Sequence, residues 1–179
     1  MKQQFIISAV GPNITGIVAR VSKEIHACGC NFEDSSMTVL GDHFSLMIMV
    51  TGEGDNSLTE ITASCERLRE KGDLSIALFA IGLPDDFPTQ PSKPNYELRV
   101  KGVDRMGIVY RTSQLLAARN INIVDMHTSL DTSAGDNQPV FTMKTRIAVP
   151  EDVSREILRQ DLESIAEDLN DVISLIRLS

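Results

Sequence analysis

Shifted against itself by 91 residues, the chain repeats. FIISAVGPNITGIVARVSKEIHACGCNFEDSSMTV, residues 5–39, lies over YELRVKGVDRMGIVYRTSQLLAARNINIVDMHTSL, residues 96–130, without a gap. Nine positions are identical: Gly11/Gly102, Gly16/Gly107, Ile17/Ile108, Val18/Val109, Arg20/Arg111, Ser22/Ser113, Ala27/Ala118, Asn31/Asn122 and Asp34/Asp125. The second copy then carries six extra residues around DTSAGDNQP, after which Phe44 lies over Phe141 and FSLMIMV over FTMKTRI. A pattern that occurs twice in 179 residues restricts the chain to two like units of about 80 residues each.

Between the copies lies GLPDDFPTQPSKPNY, which holds four of the seven prolines, Pro84, Pro88, Pro91 and Pro94. Proline lacks an N–H and fixes φ, so such a stretch sustains neither helix nor ladder. The expected organisation is a first unit over 1–82, a linker over 83–94 and a second unit over 95–179.

Each copy has the same element pattern. FIISAV is a short strand followed by the loop GPNITG. IVARVSKEIHAC has apolar residues at helix spacing, and Gly29 closes that helix. NFEDSSMTVLG and FSLMIMVTG flank the turn GDH and form a hairpin. NSLTEITASCERLREKGD is a second helix, with Asn56 or Ser57 as N-cap and Glu60 placed for a capping box. LSIALFAIGL is the last strand. In the second copy, YELRVKG is the first strand and IVYRTSQLLAARN the first helix. INIVDMHTSL and VFTMKTRIAV form the hairpin, and the second helix has Pro150 near its start. The order βαββαβ, twice, predicts an α+β protein of two ferredoxin-like units. Each is a four-stranded antiparallel sheet with both helices on one face. The opposite sheet face needs a cover, from a second copy of the unit or from dimerisation.

Charge excludes some partners. The net charge is −8, with six Lys/Arg against twelve Asp/Glu in residues 1–90 and eleven against thirteen in 91–179. No basic run occurs, so neither phosphate backbones nor anionic membranes are expected partners. Three cysteines do not make a disulfide framework. MKQQFIISAV lacks the basic and apolar regions of a secretory signal, and no apolar run approaches a membrane span. A cytoplasmic location is the expectation.

The repeated motifs Asp104-Arg-Met-Gly107-Ile-Val109 with Asn122-Ile-Val-Asp125, and Asn13-Ile-Thr-Gly16-Ile-Val18 with Asn31-Phe-Glu-Asp34, carry a resemblance. The chain resembles the ACT domain, a small regulatory module that commonly binds amino acids. The match is close in the second copy; the first has Asn for Asp and Phe for Ile. As a tandem of two such domains with a GPN-type first loop, it is similar to the glycine cleavage system transcriptional repressor group.

The two loops have G-x-x-x-x-G spacing, but Ile-Val follows where a nucleotide-binding loop continues with Lys and Ser/Thr. Another chemistry suits them. A helix starts at each second glycine, so free N–H groups and the positive end of the helix dipole are offered to an anion such as a carboxylate. Asn13 and Asp104 add side-chain oxygens, and read most simply as N-caps, a role compatible with bordering a ligand. Asp34 and Asp125 offer carboxylates for an ammonium group; the alternative reading of both is a solvated or capping residue. The resemblance implies a cleft between ACT domains, bordered by the first loop and the second strand. The candidate ligand set is Asn13, Ile14, Thr15, Gly16, Ile17, Asp34, Asp104, Arg105, Met106, Gly107, Ile108, Asp125 and His127.

Other clusters carry less. His26-Ala-Cys28-Gly-Cys30 resembles a metal or redox group, but Ala117, Arg119 and Ile121 replace its members in the second copy. The fold needs no metal there, and the thiols read as buried. His43 and His127 have no nucleophile beside them, so no triad is expected. The resulting expectation is a non-catalytic regulator without cofactor or metal. It would sense a small amino acid such as glycine at ACT-domain interfaces, form a homodimer, and act on transcription through a protein partner rather than on nucleic acid directly. The alternative is a ligand-free oligomerisation or docking module.

Overall fold

The structure, a computed structural model, describes residues 2–54, 57–71, 73–81, 93–132 and 139–178. Most of the expected linker and Asn56 lie outside the described residues. The chain divides into two compact units. The first contains β1 (Lys2–Pro12), α1 (Ile17–Ala27), β2 (Asn31–Leu40), β3 (His43–Glu53), α2 (Ser57–Glu70) and β4 (Ser75–Ala80). The second contains β5 (Tyr96–Val103), α3 (Ile108–Ala118), β6 (Asn122–Asp131), β7 (Val140–Ala148), α4 (Arg155–Leu169) and β8 (Val172–Arg177). The strand orders are β2-β3-β1-β4 and β6-β7-β5-β8, all pairs antiparallel. This is the expected α+β architecture of two ferredoxin-like βαββαβ units.

The alternation of each central strand decides which sheet face receives the helices. Phe5, Ile7 and Ala9 of β1, with Phe44, Leu46, Ile48 and Val50 of β3, are buried. Against them pack Ile17, Val21 and Ile25 of α1, spaced four apart on one helix face, and Ile61, Cys65 and Leu68 of α2. Each fully buried aliphatic side chain contributes roughly 1.5–3 kcal/mol by leaving water. In the first unit these residues form one continuous core.

The second unit is built alike but its core is divided. Leu98, Leu116, Ile147, Leu158 and Leu162 form one cluster; Val100, Ile108, Met143 and Leu169 form another. Between the clusters, Thr112 lies on α3 between Ile108 and Leu116, and Thr145 on β7 between Met143 and Ile147. Both hydroxyls are buried without a hydrogen-bond partner. In the repeat alignment these positions are Val21 and Ile48 of the first unit.

Helix ends follow local chemistry. Gly29 (φ 70°) and Asn120 (φ 54°) take the left-handed conformation that terminates α1 and α3. Ser57 does not cap α2: it is the first helical residue, and its hydroxyl reaches Gln3 Oε1 at 2.7 Å and the Gly54 carbonyl at 3.0 Å. α4 begins later than Pro150 suggests. Pro150–Val153 forms a turn, and Ser154 caps the helix by accepting from the Ile157 N–H at 3.5 Å.

Candidate functional site

Each β1–α1-type loop leaves its strand beside the hairpin turn. The Asn13 N–H donates to the Asp42 carbonyl at 2.8 Å; the Asp104 N–H donates to the Pro139 carbonyl at 3.0 Å. Both helices then start at a glycine. Gly16 has φ 87° and Gly107 φ 100°, and neither helix has a side-chain cap. The reading of Asn13 and Asp104 as N-caps is therefore corrected. The left-handed glycine turns the chain sharply into the helix, and a cap would have to sit at the glycine itself. The first intrahelical bonds run from Arg20 to Gly16 (2.9 Å) and from Arg111 to Gly107 (2.8 Å). In α1 the Ile17 N–H is taken by the Ile14 carbonyl at 3.2 Å; the other N–H groups of the two first turns have no side-chain cap.

The loop side chains divide. Asn13, Ile14, Thr15, Asp104, Arg105 and Met106 are exposed, Met106 completely. Ile17 and Ile108 point into the core, so only their backbones border the loop. Arg105 donates to the Leu169 carbonyl at 3.0 Å and so ties its loop to the C-terminus of α4. Next to it, Asp171 is buried at both carboxylate oxygens without a partner; burial holds its carboxyl above the usual range, and Arg105 opposes that effect.

The strand carboxylates are elsewhere in their units. Asp34 pairs with Met49, which pairs with Ile6, whereas the loop follows Pro12 beside Leu40 and His43. Six residues of strand separate Asp34 from Leu40, about 20 Å at 3.3 Å per residue. Asp125 and Asp131 are related in the same way in β6. Neither unit brings its loop and its strand carboxylate together. Both aspartates follow a β-bulge, at Phe32/Asp34 and Ile123/Asp125, which accounts for their shared place in the repeat. Their environments differ. Asp125 is ion-paired with Arg146, whose guanidinium holds the carboxyl below its usual range. Asp34 accepts from the Ser35 N–H at 2.8 Å; the position of Arg146 is taken by Met49. Asp34 borders a shallow cavity of about 230 Å³, shared with Ile6, Ser36, Met47 and Met49. The sequence reading did not find this cavity, although alternation along β1 and β3 places its apolar members on one face.

His127 lies two residues beyond Asp125, on the sheet face away from the helices and opposite Lys144. Cys30 and Cys65 are buried and Cys28 is half-buried. Burial pushes the Cys30 thiol up to about 12 and raises that of Cys65. Among the described residues, no group of three or more His, Cys, Asp or Glu is placed to hold a metal. No helix among them is long and apolar enough to cross a membrane.

Fold and loop geometry define a tandem ferredoxin-like protein with an exposed, glycine-started helix in each unit. The ACT-domain family model matches residues 3–78, and the chain belongs to the ACT-domain family. It is 22% identical over 165 residues to the glycine cleavage system transcriptional repressor of Escherichia coli (strain K12), covering 92% of this chain and 85% of that protein. It is 34% identical over 71 residues to a UPF0237 protein of Streptococcus mutans, covering 40% of this chain and 81% of that one. Two solved structures share the fold over the whole chain. One is an unknown protein from Galdieria sulphuraria (TM-score 0.81, 24% identity, all of both chains). The other is a candidate glycine cleavage system transcriptional repressor (TM-score 0.71, 23% identity, all of this chain and 99% of that one).

Proposed function

We propose that this protein is a non-catalytic regulator that binds a small amino acid at its glycine-started helices and acts through a protein partner. The observation that carries the reading is the uncapped first turn of α1 and α3, which occurs twice in equivalent, exposed places. Backbone N–H groups at a helix start receive a carboxylate, and the dipole favours its charge. The ammonium of the same ligand needs an acceptor. Within either unit the strand carboxylate is at the far end of the sheet, so another ACT unit supplies it, in a homodimer that of the partner chain. The edge strand β2, exposed along its whole length, is the surface such a dimer would use. Asp34 suits the acceptor role better than Asp125, which Arg146 already neutralises. The likeness to the E. coli repressor supports a role in transcription, and glycine is the first ligand to test.

The test is a thermal-shift screen of the protein with each of the twenty amino acids. A ligand at 100 times its dissociation constant adds about 2.7 kcal/mol if it binds only the folded state. The reading predicts a selective rise in Tm that Asp34→Asn and Gly107→Ala each diminish. A flat profile across the panel sinks it.

One observation favours a second reading, the docking module. The sheet face of the first unit opposite its helices exposes Met47 (53%), Phe79 (56%) and Val10 (43%). An apolar surface of this kind marks an association site. A concentration-dependent dimer that forms equally with and without amino acids would support it.

A further inference from the structure

The corresponding sheet face of the second unit is charged, and nothing in the fold requires it. The ladder places Arg99 directly opposite Lys144, and Lys144 directly opposite His127. Lys101 is two residues along β5 from Arg99, and Arg146 two residues along β7 from Lys144. At the equivalent positions the first unit has Ser8, Met47, Ser36, Val10 and Met49. The same sheet is thus built without a cation on this face.

Like charges directly opposite on a sheet destabilise it. The carboxylates nearby relieve only part of the repulsion. Glu97 pairs with Arg99, and Asp125 with Arg146. Asp131 stands at the far end of the face, opposite Val140. Lys101 and Lys144 are exposed, and no ion pair among the described residues involves them. Arg99 and Arg146 also remain about half exposed, at 51% and 53% of their side-chain surface. In a chain of net charge −8, this is a local cationic surface around Lys101, Lys144 and His127.

We propose that this face docks an acidic protein segment, with Lys101 and Lys144 receiving its carboxylates. The proposal rests on the reading that the protein acts through a protein partner, and it names the surface and the partner's chemistry. Charge complementarity selects an acidic occupant. Diagonal neighbours across a ladder are about 7–8 Å apart; residues i and i+2 of an extended chain, at 3.3 Å each, are about as far apart. Carboxylates at alternate positions of an extended segment therefore match Lys101 and Lys144. The face carries no Phe, Tyr or Trp on which bases would stack. The lack of a stacking surface favours protein over single-stranded nucleic acid. Glu97 and Asp125, each paired with an arginine, leave Lys101 and Lys144 as the cations open to an incoming carboxylate.

The experiment is fluorescence anisotropy of full-length protein with fluorescein-labelled octaglutamate, beside a single-stranded DNA of equal charge, at 50 and 300 mM NaCl. Octaglutamate should bind at low salt, more tightly than the DNA, and weaken at high salt. The double variant K101E/K144E should weaken binding at least tenfold, and Lys23→Glu on α1 should leave it unchanged. K101V/K144M installs the first unit's own residues and serves as the second variant should charge reversal disturb folding; it should also lose binding. Absent binding to octaglutamate, tighter binding to DNA, or unchanged binding in K101V/K144M overturns the proposal. The amino-acid thermal shift, measured on the same variants, separates the two ideas: it should persist in K101V/K144M, and its absence from the wild type would sink the sensor and leave the docking face standing.

Discussion

Gly16 and Gly107 adopt left-handed φ values, and no atom lies within 4 Å of where a Cβ would stand. Their cost of substitution is therefore backbone strain alone. Alanine in the left-handed region is disfavoured by roughly 1–2 kcal/mol. Gly107→Ala should lower the Tm of the second unit by several degrees, since about 1 kcal/mol moves a domain of this size by 4–8 °C. Calorimetry checks this; an unchanged Tm would mean that the helix can start another way. Asp171 makes a second residue-scale prediction. Its carboxyl is buried against Gly102, where the first unit packs Leu74 against Gly11. Burial raises its pKa in the folded state. The protonated form is thus favoured by folding, and stability is fullest below the unfolded pKa. It is lost as pH rises through the folded value. Asp171→Leu should raise Tm at pH 7, and the gain should shrink toward pH 3. A gain of equal size at both pH values would show that packing, not charge, is responsible.

At the scale of elements, the helices and strands were legible because periodicity is a property of many residues at once. Ile17, Val21 and Ile25 announce α1, and alternation in FSLMIMV announces β3. What the sequence hid was conformation at single residues. Nothing in Asn13 or Asp104 says that the glycine three residues on will take a positive φ and leave them outside the helix. Nor does spacing reveal that Asp34 and the loop occupy opposite ends of one sheet. That follows from the register of β2 on β3, which a one-dimensional motif does not encode. The repeated Arg20 and Arg111 were likewise only identities. In the fold, Arg20 donates to Asp73 at 2.6 Å and Arg111 to Asp168 at 2.5 Å, and each ties a first helix to the segment that leads into its last strand. Core composition yields a prediction at this scale. Thr112 on α3 and Thr145 on β7 bury hydroxyls without partners. A buried unsatisfied polar group costs about 1–3 kcal/mol. Thr112→Val and Thr145→Ile, the residues of the first unit, should each stabilise the second unit by about 1 kcal/mol in urea denaturation. A loss of stability would mean that these hydroxyls have partners in solution, such as ordered water.

For the molecule as a whole, the repeat gives two units of one fold and different chemistry. The first has one continuous core, an apolar outer sheet face and an uncompensated Asp34. The second has a core divided by threonines, a buried Asp171 and a charged outer face. With three polar residues in place of Val21, Ile48 and Leu74, the second unit should unfold at lower urea than the first.

The account stands on the claim that the first turns of α1 and α3 receive a carboxylate. Two-dimensional ¹H–¹⁵N NMR of the full chain, with glycine and then each other amino acid added, tests it most directly. The account predicts saturable shifts of the Gly16 and Val18 or the Gly107 and Val109 amides with one small amino acid. Shifts confined to other residues, or none with any of the twenty, would contradict it.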